Sequence, residues 1–200
     1  EQQSFDLPQV LLQADLCREL VYPAAQVGKV AYLLVDALRL EMAHELRAML
    51  GDEWRVQLDV ALATPPTVTD VGMAALMPGA EKGVSFTESG GKLLSVIASV
   101  PLKNRADRVQ QFHNAFAPQP TAETRLDQLA PLANNKLAKQ LKEAAVILVT
   151  ATDEIDGLCE SNPSLARRML DDVFNQLRRG LKTLFDLGVQ TVILTADHGY

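Results

Sequence analysis

The feature that most constrains this chain is a set of short apolar runs without alternation: VAYLLV at 30–35, AVILVTA at 145–151 and VILTA at 192–196. A strand with one face in water alternates polar and apolar side chains, so a run that is apolar throughout must be covered on both faces, as in a parallel sheet. Helical spacing follows two of the runs. After the first, Leu38, Met42, Leu46 and Met49/Leu50 recur at helical intervals and the pattern closes on Gly51. After the second, residues 161–188 carry a long helical period, with Ser161 or Ser164 near its start and Gly188 at its end. Strands alternating with helices predict an α/β fold: a doubly wound, mainly parallel sheet with helices on both faces and right-handed crossovers.

The remaining segments organise around that core. With 200 residues, 48% of them hydrophobic, the chain can bury one sizeable core without disulfide or metal staples. Helical spacing over 9–22, ending at Pro23 and Gly28, predicts an N-terminal helical lead-in over 1–28, ahead of a core spanning 29–200. RVQLDVALA at 55–63 alternates well enough to predict a strand, which Thr64-Pro65-Pro66-Thr67 must end because proline cannot continue a central ladder. Thr69 or Asp70 then caps a short helix running to Met77, stopped by Pro78-Gly79. The Gly-rich stretch 79–92 reads as a surface loop or as a small hairpin leading into LLSVIASV. Residues 103–143, around the turn-rich APQPTAET, read as an insertion carrying two or three helices.

Charge and cysteine usage narrow the function classes. A formal net charge of -6 opposes polyanions, so direct nucleic-acid binding is not indicated. No apolar stretch approaches the roughly 20 residues that span a bilayer, so a membrane partner is not expected. Cys17 and Cys159 lie far apart and in no CxxC pair, which fits a reduced, cytoplasmic compartment. Residue 1 is Glu rather than Met and the sequence stops at Tyr200, directly after the Asp-His strand, so it reads as a C-terminally truncated piece of a longer protein.

Chemistry concentrates where the apolar runs stop. Asp36 follows YLLV, Thr67 and Thr69 follow DVALA, Asp153 and Asp156 follow VILVTA, and Asp197-His198 follow VILTA. In an open α/β sheet the ligand crevice lies outside the carboxyl ends of the strands, so these residues can converge. Carboxylates and an imidazole brought together repel unless cations neutralise them, and such a set suits zinc or manganese. Each aspartate has a plain alternative as the cap of the next helix. Asp197-His198-Gly199 fits that alternative least, because the glycine makes a tight turn of it. Thr69 at a helix start can meet a phosphoryl group or act as an ordinary cap. Spacing alone does not choose among Asp153, Glu154 and Asp156.

VAYLLVDALRLEM, TPPTVTDVGMAALMPG, VTATDEIDGL and VILTADHGY, in this order over residues 30–200, together resemble the PglZ domain, a branch of the alkaline phosphatase superfamily found in bacterial phage-defence (BREX) systems and in some response regulators. The resemblance implies an alkaline-phosphatase-like core with Asp36, Asp197 and His198 as ligands of a first metal ion. It makes Thr69 a nucleophile that also touches metal, preferred over Thr67 because PTVT is similar to the PTxT stretch of nucleotide pyrophosphatase/phosphodiesterase members. Asp156 becomes a ligand of a second ion. Four residues after it, where those relatives usually carry His, stands Glu160, which can still serve as a ligand. Their last histidine ligand falls beyond Tyr200. Arg39, beside the Asp36 motif, is the candidate for reaching a substrate phosphate.

The resulting expectation is a metal-dependent phosphatase or phosphodiesterase with one or two divalent ions, Zn2+ or alternatively Mn2+. It acts on a phosphate-ester or nucleotide-type substrate, within a cytoplasmic protein that works with other defence-system proteins or in signalling. The alternative is a catalytically degenerate phosphatase fold serving as a scaffold in a defence complex, which Glu160 in place of His favours. A phosphoglycerate-mutase-like activity ranks below both, because it usually needs a serine at position 69.

Overall fold

The computed structural model describes residues 10–52, 54–151 and 163–199, with side chains of the last helix described from residue 170 onward. A first short strand, β1 (Leu11–Leu12), leads into a continuous helical stretch made of a 3-10 turn at Gln13–Asp15, a π turn at Cys17–Val21 and α1 (Tyr22–Val27). Of the two stops read from the sequence, Pro23 and Gly28, the chain turns through the first and ends at the second, with Val27 the last helical residue and Gly28 the cap. Proline lacks the N–H that would bond four residues back. The preceding turn is widened, its Tyr22 amide reaching the Cys17 carbonyl, and the helix runs through the proline.

Next, β2 (Val30–Val35) and α2 (Leu40–Leu50) form the expected strand-to-helix unit, and all six β2 residues are buried. The strand expected over 55–63 shrinks to β3 (Ala61–Leu62), which pairs in parallel with β1 outside the main sheet. Its alternation explains the correction. Arg55, Gln57 and Asp59 are exposed while Val56 and Leu58 are half-buried, so the segment has one apolar side to offer where a central strand needs two. After α3 (Thr69–Ala75), the strands β4 (Val84–Ser89), β5 (Lys92–Ile97) and β6 (Val100–Leu102) make an antiparallel meander, which selects the hairpin for residues 79–92. Gly90 and Gly91 turn it at φ 63° and 77°, the paired positive values of a two-residue turn whose twist suits the strands.

Residues 103–143 hold α4 (Arg105–Phe116), α5 (Leu126–Leu129) and α6 (Asn135–Glu143), and also a strand, β7 (Thr121–Arg125). The stretch read as an insertion of two or three helices thus holds three, and with β7 it also builds one edge of the main sheet. TAETR carries no apolar run, and only Ala122 and Thr124 face inward, which is why its sequence does not announce a strand. The chain ends with β8 (Val146–Ala151), α7 (Pro163–Asp186) and β9 (Thr191–Ala196).

The main sheet has the order β7-β8-β2-β9, and every neighbouring pair is parallel. On one face Ala31, Leu33 and Val35 pack with Met42 and Leu46 of α2, Leu126 and Leu129 of α5, and Phe174 and Leu177 of α7. On the other, Val30, Tyr32 and Leu34 pack with Leu16, Cys17 and Val21, Met73 of α3, and Phe112 and Phe116 of α4. Each large side chain buried here contributes about 1.5–3 kcal/mol. Two cores thus clamp the central strands and align their carboxyl ends along one edge, the arrangement of a doubly wound sheet.

Candidate metal centre

Strand register alone brings the two aspartates together. Val35 of β2 lies opposite Ala196 of β9, so the next residues, Asp36 and Asp197, leave the sheet side by side. Both are buried, Asp197 completely. The turn after Asp36 is unusual: Ala37 adopts φ 57°, a left-handed conformation that costs a non-glycine residue about 1–2 kcal/mol. In that conformation the Ala37 N–H donates to Asp197 Oδ1 at 3.0 Å, and the His198 N–H donates to the same oxygen at 2.8 Å. One oxygen of Asp197 is therefore locked by two amides. Its other oxygen, Oδ2, is buried with no hydrogen-bond donor among the described residues.

His198 completes the cluster. Its Nε2 lies 3.5 Å from Asp197 Oδ2 and 3.6 Å from Asp36 Oδ1, and ligand atoms of the three side chains all fall within 4.8 Å of one another. Donors bound tetrahedrally to zinc at their usual bond lengths stand about 3.4 Å apart. The donor set, its spacing and the bare carboxylate oxygen fit a divalent cation. Burial pushes Asp197 above the ordinary carboxylate range, although the Ala37 amide, the charge and amide of His198, and the Asp36 carboxyl each pull it down. Two carboxylates held in so dry a place are relieved by a proton on one of them or by a cation between them.

Thr69 arrives from a different layer. Its Oγ1 stands 3.0 Å from His198 Nε2. The cap position of α3 is Val68, with no side-chain cap, so neither Thr69 nor Asp70 has the capping role read from the sequence. Two contacts bring this helix in. A Cβ added to Gly72 would lie 2.2 Å from the Asp197 carbonyl oxygen, so only glycine lets α3 pack so closely against the end of β9. Gln13, itself buried, donates from Nε2 to the carbonyl of Ala196 at 3.1 Å and to that of Asp197, while its Oε1 accepts the Thr64 N–H at 2.9 Å. One side chain thus ties the strand that carries Asp197 to the loop that leads into Thr69.

The other expected residues fall as follows. Asp156 and Glu160, with Asp153, lie outside the described residues. Arg39 sits at the rim, its backbone against Gly199 and its Nε paired with Glu41 at 2.9 Å. Thr67 is exposed. His44 is exposed, and His113 bonds the Thr121 hydroxyl, so neither joins the cluster. Cys17 is buried in the second core and its thiol is pushed up to about 12, chiefly by burial. Sequence reasoning missed Gln13, Ala37 and Gly72. Of these only Gly72 left a signal, as a glycine inside a helical pattern.

The family model for the BREX system PglZ alkaline phosphatase-like domain matches residues 16–200. The chain belongs to this PglZ family. Among curated proteins, the alkaline phosphatase-like protein PglZ of Bacillus cereus (strain H3081.97) is 24% identical over 179 residues, covering 86% of this chain and 20% of that protein. The alkaline phosphatase-like protein BrxZ of Escherichia coli O9:H4 (strain HS) is 24% identical over 213 aligned positions, 99% of this chain and 23% of that protein. The chain thus spans about a fifth of the length of these PglZ relatives. Among the described residues no helix is long and apolar enough to cross a membrane.

Proposed function

We propose that this PglZ chain carries the catalytic core of a metal-dependent phosphoric-ester hydrolase, a phosphatase or phosphodiesterase with Thr69 as its nucleophile. The observation that carries the reading is the meeting of Asp36, Asp197, His198 and Thr69 at one point of the sheet edge. Asp36, Asp197 and His198 would hold one divalent ion, Zn2+ or alternatively Mn2+. Family resemblance assigns Asp156 and Glu160 to a second. When bound, such an ion neutralises the carboxylates and lowers the pKa of the adjacent hydroxyl. The Thr69 Oγ1 proton would pass to solvent as Oγ1 attacks phosphorus. The P–O ester bond breaks, its oxygen leaving with the electron pair and taking a proton from solvent, and water then cleaves the threonyl phosphate to regenerate Thr69 and release phosphate. Gln13 and Gly72 keep the nucleophile in register with the ligands, and the buried position of Asp197 keeps water off its carboxylate. The core is taken as residues 29–200 behind a lead-in over 1–28. It would work in the cytoplasm, on a phosphate-ester or nucleotide-type substrate, alongside other defence proteins, as the BREX family description and the names of the relatives suggest.

Full-length protein tests this. Zinc and manganese content is measured, then turnover of nitrophenyl phosphate and bis-nitrophenyl phosphate with and without chelator. The expected result is bound metal with chelator-sensitive turnover that Thr69→Ala removes. Metal without turnover would reject the enzyme and favour the scaffold.

A further inference from the structure

We propose that Arg108 is the residue that receives the phosphoryl oxygens of the substrate, a role that rests on the hydrolase reading above. Helix α4 starts at the carboxyl edge of the sheet, where Arg105 donates from Nε to the Thr150 hydroxyl near the end of β8 and pairs with Glu123. Arg105 is thereby committed. Arg108, three residues on and so on the same helix face, is not. Its side chain is only 16% exposed, yet its guanidinium makes no hydrogen bond among the described residues. Its nearest anion is Asp70 Oδ1 at 4.0 Å, beyond hydrogen-bond reach, on a side chain that is 79% exposed. Asp70 adjoins Thr69, and the Ser95 hydroxyl holds its carbonyl at 3.2 Å.

A guanidinium offers five N–H donors in a rigid fork. With no hydrogen bond from the described residues and only a narrow exposure to water, that fork is complementary to an anion with two oxygens in one plane, as a phosphate ester presents. Electrostatics agree with the geometry. Burial and the neighbouring Arg105 make the charge on Arg108 harder to keep, whereas Asp70, Asp197 and Asp107 favour it, so Arg108 lies within the field of the metal-ligand carboxylate. Arg39, the cation singled out from sequence, has Glu41 on its Nε at 2.9 Å and is more exposed, at 35%. Arg39 Nε makes no hydrogen bond either, but it has a carboxylate against it at 2.9 Å, whereas the anion beside Arg108 stands 4.0 Å away.

The test uses the metal-loaded full-length protein, with inorganic phosphate as the probe in calorimetry and as a competitive inhibitor of turnover. Arg108→Gln keeps the buried stem and is expected to weaken phosphate binding at least tenfold at unchanged metal content and thermal midpoint. Arg108→Lys, which keeps charge without the fork, is expected to fall between it and wild type, and Arg39→Gln to stay within about threefold of wild type. Wild-type phosphate affinity in both Arg108 variants would overturn the assignment while leaving the hydrolase reading intact. A loss of affinity accompanied by loss of metal or by unfolding in both variants would also overturn it, as the mark of a structural role. A wild-type protein that holds metal but binds no phosphate and turns over neither ester would bring down the hydrolase reading and the arginine with it.

Discussion

The hydroxyl of Thr69 stands 3.0 Å from Nε2 of His198, although 129 residues separate them in the chain. Nothing local produces that contact. It depends on β9 lying beside β2 and on α3 packing against the end of β9. If the pair is catalytic, Thr69→Ala eliminates ester hydrolysis at unchanged metal content while costing about 1 kcal/mol of stability, the worth of one hydrogen bond. Thr69→Ser should restore measurable turnover. Single-turnover assays and urea denaturation of the three proteins check both parts.

Gly72 sets the approach of α3. A methyl group there would meet backbone, the Asp197 carbonyl oxygen at 2.2 Å, and backbone cannot swing aside. Gly72→Ala is expected to destabilise the fold by about 1–3 kcal/mol, the usual range for overpacking, and to reduce turnover by moving Thr69 away from His198. Denaturation midpoints and kcat measured together decide it. An unaltered midpoint would show that the helix has room to shift.

Gln13 joins three backbone groups, the carbonyls of Ala196 and Asp197 and the amide of Thr64. Gln13→Leu keeps the volume and strands all three. At about 1–3 kcal/mol for each buried group left without a partner, a loss of several kcal/mol is expected, softened where water enters. Because Asp197 loses its backbone anchor, zinc affinity should fall as well. Titration with a fluorescent zinc competitor separates that effect from stability.

Asp197 predicts a pH dependence for the metal-free protein. Its pKa is raised above 3.8 in the folded chain, so the fold holds the proton more tightly than the unfolded chain does. The stability this group contributes is fully present below the unfolded value and is lost as pH rises through the folded value. Asp197→Asn keeps Oδ1 for the amides of Ala37 and His198 and removes the charge. With chelator at neutral pH the variant is expected to be more stable than wild type and to show a flatter stability profile from pH 4 to 7. With zinc the order should reverse, because the variant has lost a ligand. Urea denaturation across that range, with chelator and with zinc, reads both signs.

Much of this architecture was legible in the sequence because burial on both faces leaves a compositional trace. The runs ending at Val35 and Ala151 are the two inner strands, buried throughout, whereas the run ending at Ala196, expected to be covered on both faces, is the half-buried edge strand beside them. The polar residues that follow Val35 and Ala196 form the cluster. Strand β7 was not legible, since TAETR at the sheet edge needs only Ala122 and Thr124 to face inward. Residues 55–63 misled in the opposite direction, because alternation records one buried side without saying which sheet provides it. Gln13 was beyond reach of any local pattern. A buried amide reads as an ordinary polar residue until the strand it holds, 183 residues away, is placed beside it. The left-handed Ala37 is likewise invisible, since its conformation is imposed by the amide it turns toward Asp197.

The central claim is that Asp36, Asp197 and His198 form one cation site beside Thr69. The most direct measurement is anomalous scattering at the zinc edge from crystals of the full-length protein grown with zinc. The account predicts a peak bonded to Asp36, Asp197 Oδ2 and His198 Nε2, with the Thr69 hydroxyl next to it, and loss of that peak in Asp197→Asn. A protein that binds zinc stoichiometrically at another place, with these three side chains engaged only with one another, would contradict it.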